Sequence, residues 1–97
     1  MSNQLPSYTS GTCDKPLIGM TIGDMFDNIA ARHPDNDALI VHHQNIRLTY
    51  AQLKEKVDEA ARAFLAIGVE KGDRVGMWSP NCAEWTITQF ATAKIGA

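Results

Sequence analysis

The sequence predicts an α/β fold of three helices, a strand hairpin and one further strand. Three stretches repeat apolar residues at helical spacing, and short runs of branched apolar residues lie between them. Each helical stretch also begins near a residue type that caps helices. Because strands and helices alternate along the later part of the chain, we expect a layered arrangement whose later strands run parallel.

The first twenty residues are predicted to be an extended segment. They are polar, and four residues interrupt any regular pattern: Pro6, Gly11, Pro16 and Gly19. The folded region is therefore expected to comprise residues 21–97.

The first helix is expected to begin at Thr21, whose hydroxyl can accept a free backbone N–H, with Asp24 three residues later. Its apolar stripe is formed by Ile22, Met25, Phe26 and Ile29. Gly23 weakens a helix by about 1 kcal/mol relative to alanine, so packing must stabilise this one. Pro34 is expected to end the helix at His33.

A strand hairpin is predicted next. Residues 38–42 form a short apolar run, Gln44 and Asn45 suit a tight turn, and residues 46–48 return as the second strand.

The second helix has the clearest signals in the chain. Thr49 and Gln52 have the spacing of a capping box, and Gly68 suits the position just after the helix. The predicted buried stripe is Leu53, Val57, Ala60, Ala61 and Phe64. The predicted water-facing residues are Lys54, Glu55, Asp58, Glu59 and Arg62.

The last two predicted elements are a strand over residues 73–78 and a helix from Ala83 to about Ile95, with Asn81 and Glu84 as a capping pair. Gly96 follows at the helix end. A strand–helix–strand unit would continue with a further strand, so we expect residues 21–97 to be an incomplete subdomain.

Composition excludes several classes of function. Nine basic and eleven acidic residues give a net charge of -2 without a basic face, so we expect no nucleic-acid partner. No run approaches the roughly 20 apolar residues of a membrane span. Lys15 is the one basic residue among the first fifteen, and these features predict a cytoplasmic protein. Cys13 and Cys82 are compatible with a disulfide, although free thiols are expected.

Three segments together resemble the adenylate-forming enzymes, and most closely the fatty-acid and medium-chain acyl-CoA ligases. Residues 48–53 (LTYAQL) resemble the first core motif of that family, in which Glu usually stands where this chain has Gln52. Residues 68–85 (GVEKGDRVGMWSPNCAEW) share its spacing of Gly-Val, Gly-Asp-x-Val and Asn-x-x-Glu-Trp, and residues 93–97 (AKIGA) resemble the opening of its second core motif. The resemblance covers residues 20–97.

The resemblance implies that the chain is the truncated amino-terminal part of an AMP-binding domain. The full enzyme would activate a fatty or other carboxylic acid with ATP to an acyl-adenylate and then form a CoA thioester, using Mg²⁺. The matching motifs set caps, turns and core stripes, so we expect no catalytic, cofactor-binding or metal-binding residue in this chain, and we expect the chain alone to be inactive.

One segment is similar to the phosphate loop of the family. Residues 8–12 (YTSGT), followed by Lys15 and Pro16, share its composition. However, Asp14 stands where the loop has its second glycine, and no strand precedes Tyr8. We therefore expect that this segment does not contact nucleotide.

The remaining candidates for chemistry are weak. His42 and His43 are expected on opposite faces of a strand, and His33 in the last turn of a helix, so none suggests a metal site. Cys82, in the first turn of a helix, lacks an assigned base. Asp58 and Glu59 lie on a solvated face, with Arg62 as a weak partner of Asp58.

A second hypothesis comes from a different class of protein. A truncated α/β layer leaves a helix and a sheet edge uncovered, which favours self-association or a partner. The chain would then be a free-standing, non-enzymatic interaction module.

Overall fold

The computed structural model describes residues 7–97, and their elements confirm the α/β class, the three helices and the hairpin. The elements are α1 (Ile22–Arg32), β1 (Asp37–Val41), a 3₁₀ turn (His42–Gln44), β2 (Ile46–Thr49), α2 (Tyr50–Ala66) and α3 (Ala83–Ile95). Residues 7–20 contain no helix or strand, while the rest of the predicted extended segment lies outside the described residues. Within residues 7–97, no helix combines the length and apolar character of a membrane span.

Helix α1 begins as predicted, but its buried face is only partly the predicted stripe: Phe26 is buried and Ile29 half-buried. The Thr21 hydroxyl accepts the Asp24 N–H at 3.1 Å. The buried residues are Gly23, Phe26 and Ala30, whereas Ile22 and Met25 of the predicted stripe are 57% and 37% exposed. The face with the small residues turns inward because it permits a closer approach to α3.

Helix α1 lies close to α3 at Gly23. A Cβ atom at this position would lie 3.1 Å from the Lys94 Cα and 3.2 Å from its Cγ. One turn further along α1, the ring of Phe26 stacks on that of Phe90, with centroids 4.7 Å apart and an interplanar angle of 21°. The glycine that weakens α1 as an isolated helix thus lets it pack against α3.

Strands β1 and β2 pair antiparallel, with Leu39 opposite Leu48 and Val41 opposite Ile46. The first strand begins and ends one residue earlier than predicted, because Asp37 pairs with Thr49 and His42 lies in the 3₁₀ turn. Asn45 follows with φ of 54°, a left-handed conformation that asparagine tolerates better than most residues. The turn therefore forms at the Gln44–Asn45 pair, as the sequence predicts.

Helix α2 carries the predicted capping box. The Gln52 N–H donates to the Thr49 hydroxyl at 3.2 Å, and the Thr49 N–H donates to Gln52 Oε1 at 2.9 Å. Leu53, Val57 and Ala61 are buried and form the core with Phe26 and Ala91. Gly68 follows the helix with φ of 97°.

The predicted third strand is not formed within the described residues. Residues 73–78 pair with no other segment there, so their backbone has no ladder. Their side chains nevertheless alternate as in a strand: Val75 and Met77 are half-buried, whereas Arg74, Gly76 and Trp78 are exposed. The prediction of a strand was wrong for this chain because a β-strand requires a hydrogen-bonded neighbour.

We predict that Gly23→Ala lowers the free energy of unfolding by about 1 kcal/mol, measured by urea denaturation. Crowding against the Lys94 backbone costs about 1–3 kcal/mol, and the better helix propensity of alanine returns only about 1 kcal/mol. Gly76→Ala is the control, since a Cβ there meets nothing within 4 Å. Equal stability of the two variants would contradict the close α1–α3 contact.

Candidate functional site

The segment that resembles a phosphate loop is an exposed loop. It bends around an open hollow of about 510 Å³ that is lined only by its own residues, between Tyr8 and Leu17. Its polar contacts are local: the Lys15 N–H donates to the Cys13 sulfur at 3.4 Å, and the Cys13 thiol donates to Asp14 at 3.8 Å. A phosphate cradle needs backbone amides held by flanking elements. That this segment does not bind nucleotide stays a prediction.

The three histidines lie at two places in the fold, His33 at the end of α1 and the adjacent His42 and His43 in the hairpin turn. His42 and His43 occupy the 3₁₀ turn and not, as predicted, two faces of a strand, because β1 ends at Val41. His33 is the exposed C-cap residue of α1. Among residues 7–97, no group of three or more His, Cys, Asp or Glu side chains could hold a metal ion.

Both cysteines are free thiols. Cys13 is exposed in the amino-terminal segment, and Cys82 is the N-cap residue of α3, one position before the first turn in which it was expected. The Cys82 sulfur lies 3.1 Å from the Ser79 hydroxyl. This contact joins the end of the 73–79 segment to the start of α3.

The hairpin turn caps α3 through Gln44. Its side-chain oxygen accepts the Ala83 N–H at 2.8 Å, and its Nε2 donates to the Glu84 carboxylate at 3.1 Å. One amide side chain thereby satisfies a free backbone donor and an acidic side chain in the first turn. The expected capping by Asn81 is wrong: the N-cap residue is Cys82, without a side-chain capping bond.

The pKa of Glu84 is lowered at this junction. The Gln44 hydrogen bond contributes most, followed by the backbone amide of Glu84 and a contact with Cys82.

An open groove of about 480 Å³ lies beside the junction, between β2 and the start of α3. It is lined by Asn45, Ile46, Arg47, Leu48, Lys56, Ala83, Glu84 and Ile87.

Four charged side chains form a cluster that joins all three helices, here called the helix-bridging cluster: Asp27, Lys54, Asp58 and Lys94. Lys94 of α3 contacts Asp27 of α1 at 2.7 Å and also donates to Asp58 of α2. Lys54 contacts Asp58 at 2.6 Å and Asp27 at 3.8 Å. The Lys94 side chain is only 15% exposed, whereas those of Asp58, Asp27 and Lys54 are 25–38% exposed, so the cluster is partly buried around Lys94.

Burial and ion pairing oppose each other in this cluster, and pairing prevails. Burial is the largest single influence on Asp58 and would raise its pKa, but the hydrogen bonds and charges of Lys54 and Lys94 together lower it. Burial likewise would lower the pKa of Lys94, but Asp27 and Asp58 together raise it. Both groups are therefore charged at neutral pH.

Sequence reasoning missed this cluster. Asp58 was expected on a solvated face with Arg62 as its partner, yet it bonds to Lys54 and Lys94. Lys54 was also expected to face water and is instead half-buried. The spacing of Lys54 and Asp58, four residues apart on one helix, is the available signal for their pairing. Pairing of Lys94 with two other helices depends on tertiary packing.

Comparison with known proteins gives a consistent set of relatives. The model of the family described as AMP-binding enzyme matches residues 26–97. Medium-chain acyl-CoA ligase ACSF2, mitochondrial, of Mus musculus is 50% identical over 99 aligned residues, which cover 98% of this chain and 16% of the relative. Putative acyl-CoA synthetase YngI of Bacillus subtilis (strain 168) is 44% identical over 81 residues, covering 84% and 15%.

Superposition on solved structures agrees with the sequence comparison. The inhibitor-bound N-terminal domain of FACL13 from Mycobacterium tuberculosis superposes with a TM-score of 0.75 at 33% identity, covering 78% of this chain and 19% of that one. The N-terminal subdomain of Klebsiella oxytoca NpsA gives a TM-score of 0.74 at 33% identity, with the same coverage. The chain thus spans about a sixth of the length of the curated relatives it matches.

We predict that Gln44→Ala lowers the free energy of unfolding by about 0.5–2 kcal/mol, as expected for a lost helix cap. Asn81→Ala, at the position that sequence reasoning favoured, should leave it unchanged. Chemical denaturation followed by circular dichroism measures both. A larger loss at Asn81 than at Gln44 would show that the cap was wrongly assigned.

We predict that Lys94→Met lowers the free energy of unfolding by about 1–2 kcal/mol at neutral pH, because two partly buried carboxylates lose their shared cation. The pKa of Lys94 is raised in the folded protein. Its ion pairs therefore stabilise the fold below the ordinary pKa of 10.5, and this stabilisation is lost as pH rises through the folded-state pKa. The pKa of Asp58 is lowered in the folded protein. Its ion pairs therefore stabilise the fold above pH 3.8, and this stabilisation is lost as pH falls through the folded-state pKa.

Thermal unfolding across the pH range measures this effect. The difference between wild type and Lys94→Met should be largest between about pH 5 and 9 and should shrink at both extremes. Lys56→Met, at an exposed position of α2, is the control for loss of one positive charge. A pH-independent difference would assign the loss to packing and not to charge.

Proposed function

The chain belongs to the family of AMP-binding enzymes, and from this premise we propose that it forms scaffold for a ligase that joins a carboxylic acid to coenzyme A. The identity of 50% with a medium-chain acyl-CoA ligase over 98% of the chain carries the proposal. The family match and the structural superpositions support the same assignment. The proposed substrate of the whole enzyme is a medium-chain or other fatty acid.

The reaction proposed for the whole enzyme has two steps. The acid's carboxylate attacks the α-phosphate of ATP and expels pyrophosphate, and the CoA thiol then attacks the acyl-adenylate and releases AMP. Such chemistry needs donors aimed at the phosphates and a Mg²⁺ ion on the developing charge.

The groups of this chain are poorly suited to hold Mg²⁺. Asp27 and Asp58, two carboxylates brought together by the fold, are already paired with lysine cations. Asp37 pairs with Arg47 at 2.5 Å. We therefore propose that the ATP, Mg²⁺ and CoA sites lie in other parts of the enzyme.

The proposed role of residues 21–97 is to build the beginning of the AMP-binding domain. The first family-like motif, residues 48–53, consists of the end of β2, the capping box and the first core residue of α2. The second, residues 68–85, contains the turn after α2, the unpaired segment and the first turn of α3. These positions support structural roles for the motifs.

The proposal predicts that the chain alone releases no pyrophosphate from ATP in the presence of octanoate and CoA. A chimera in which this chain replaces the segment it matches in mouse ACSF2 should retain ligase activity. A coupled pyrophosphate assay measures both proteins. Activity of the chain alone would refute the scaffold role, and an inactive but folded chimera would refute the ligase assignment.

Two variants of the chimera provide matched controls on α2. Val57→Asp places a charge at a fully buried position and should abolish activity by unfolding the scaffold. Glu59→Gln, two residues away and exposed, should leave activity unchanged.

A non-enzymatic interaction module is the alternative, and the full exposure of Trp78 is the observation that favours it. A discrete oligomer of the chain in size-exclusion chromatography would support the module. A monomer that is active only within the chimera would support the ligase scaffold.

The vertebrate relatives are mitochondrial by name, so the cytoplasmic location stays a prediction, which cell fractionation tests.

A further inference from the structure

A second open groove lies between α1 and the extended segment that precedes it, and is here called the α1 groove. Its volume is about 270 Å³, and it is lined by Ile18, Met20, Met25, Asn28, Ile29 and Arg32. Four of these six side chains are apolar, and none is acidic. None of them belongs to the core cluster, so the α1 groove is separate from the core.

The helix side of the α1 groove is one stripe of α1. Met25, Ile29 and Arg32 follow one another at intervals of four and three residues, so their side chains lie along the same face of the helix. The face that packs on the other helices carries Gly23 and Phe26 instead. The apolar residues that the sequence predicts for the core, and that the core leaves out, therefore line this groove.

The apolar side chains of the α1 groove are open to solvent. Ile18 is 71% exposed, Met20 47% and Met25 37%. Single exposed apolar residues are ordinary on a protein surface, but here two parts of the chain bring several of them together in one hollow. An aliphatic ligand in this hollow would remove apolar area from water, and the flexible methionine side chains can adapt to its shape.

One cation stands at the end of the α1 groove. Arg32 is an exposed residue in the last turn of α1, and it takes part in none of the ion pairs found within residues 7–97. Its neighbours in the lining, Asn28 and Ile29, are uncharged. A guanidinium group donates two parallel hydrogen bonds to a carboxylate, and the Asn28 amide can donate a further one. The charge and the apolar lining together complement an aliphatic chain that ends in a carboxylate.

The geometry points to a binding site for a medium-chain aliphatic carboxylate, with its alkyl chain along Ile18 and Met25 and its carboxylate at Arg32. The volume of about 270 Å³ is just below the range of roughly 300–1,000 Å³ that ligand pockets occupy, so the groove suits one short alkyl chain and not an acyl-CoA or a phospholipid. This inference goes beyond the proposed scaffold role and rests on the lining residues alone. The proposed function supplies an acid of the same class as the substrate of the whole enzyme.

Titration of the ¹⁵N-labelled chain with octanoate, followed by NMR, tests the site. The amide signals of residues 18–32 should shift and reach saturation, whereas those around Val57 in α2 should not move. Each methylene added between hexanoate and decanoate should strengthen binding by about twofold to fourfold. Octanol, which has the same chain without the charge, should bind about threefold to fivefold more weakly than octanoate.

Two pairs of variants separate the charge from the apolar contact. Arg32→Gln should weaken octanoate binding about threefold to fivefold without affecting octanol, and Arg32→Lys should restore part of the loss. Arg62→Gln, at an exposed position of α2, is the control for charge and should change neither ligand. Ile18→Ser should weaken both ligands at least about threefold. Leu17→Ser, at the more exposed neighbour outside the lining, should weaken neither.

Three outcomes would overturn the inference. Octanoate shifts that Arg32→Gln and Ile18→Ser leave unaltered would show non-specific adsorption. Shifts of residues 18–32 that grow with protein concentration in the absence of octanoate would assign the α1 groove to a second copy of the chain. Resistance of Met25 to oxidation by hydrogen peroxide in the ligand-free chimera would assign it to another part of the ligase.

The α2 amide signals of each variant show whether it is folded, so a loss of binding is not confused with unfolding. None of the three outcomes bears on the pyrophosphate assay of the chimera. Failure of this inference and failure of the proposed function are therefore distinguishable.

Discussion

The placement of α1 depends on one contact, its seating on α3 around Gly23 and Lys94. The missing side chain of Gly23 lets α1 approach the Lys94 backbone, and this approach places Asp27 within 2.7 Å of the Lys94 ammonium group. Lys94 then reaches Asp58 on α2 as well. Close packing and charge pairing therefore depend on each other, because neither contact forms unless the three helices are correctly spaced.

The core explains why such a contact matters in a chain of this size. Its buried residues are few, and several are small: Ala30, Ala61, Ala83 and Ala91 bury little apolar area each. Small side chains bring helix backbones together but contribute less hydrophobic stabilisation than leucine or isoleucine. We therefore expect partly buried ion pairs, and caps that join distant elements, to contribute a larger share of the stability.

Local signals predicted the elements, and long-range contacts decided the rest. The Thr49–Gln52 capping box and Gly68 act within a few residues, so the sequence reveals them. The buried face of α1, the Gln44 cap and the partners of Asp58 depend on elements 30 to 70 residues away. The prediction of a strand over residues 73–78 was wrong for the same reason. The local sequence encodes the alternating pattern of a strand but not the neighbouring strand with which it would pair.

No linker residue separates the hairpin from α2. Thr49 is both the last residue of β2 and the N-cap of α2. The next two amides, of Tyr50 and Ala51, donate to the carbonyls of Asn36 and Pro34, just before β1. These two hydrogen bonds hold the chain just before β1 against the first turn of α2, so the hairpin and the helix have little freedom to bend relative to each other.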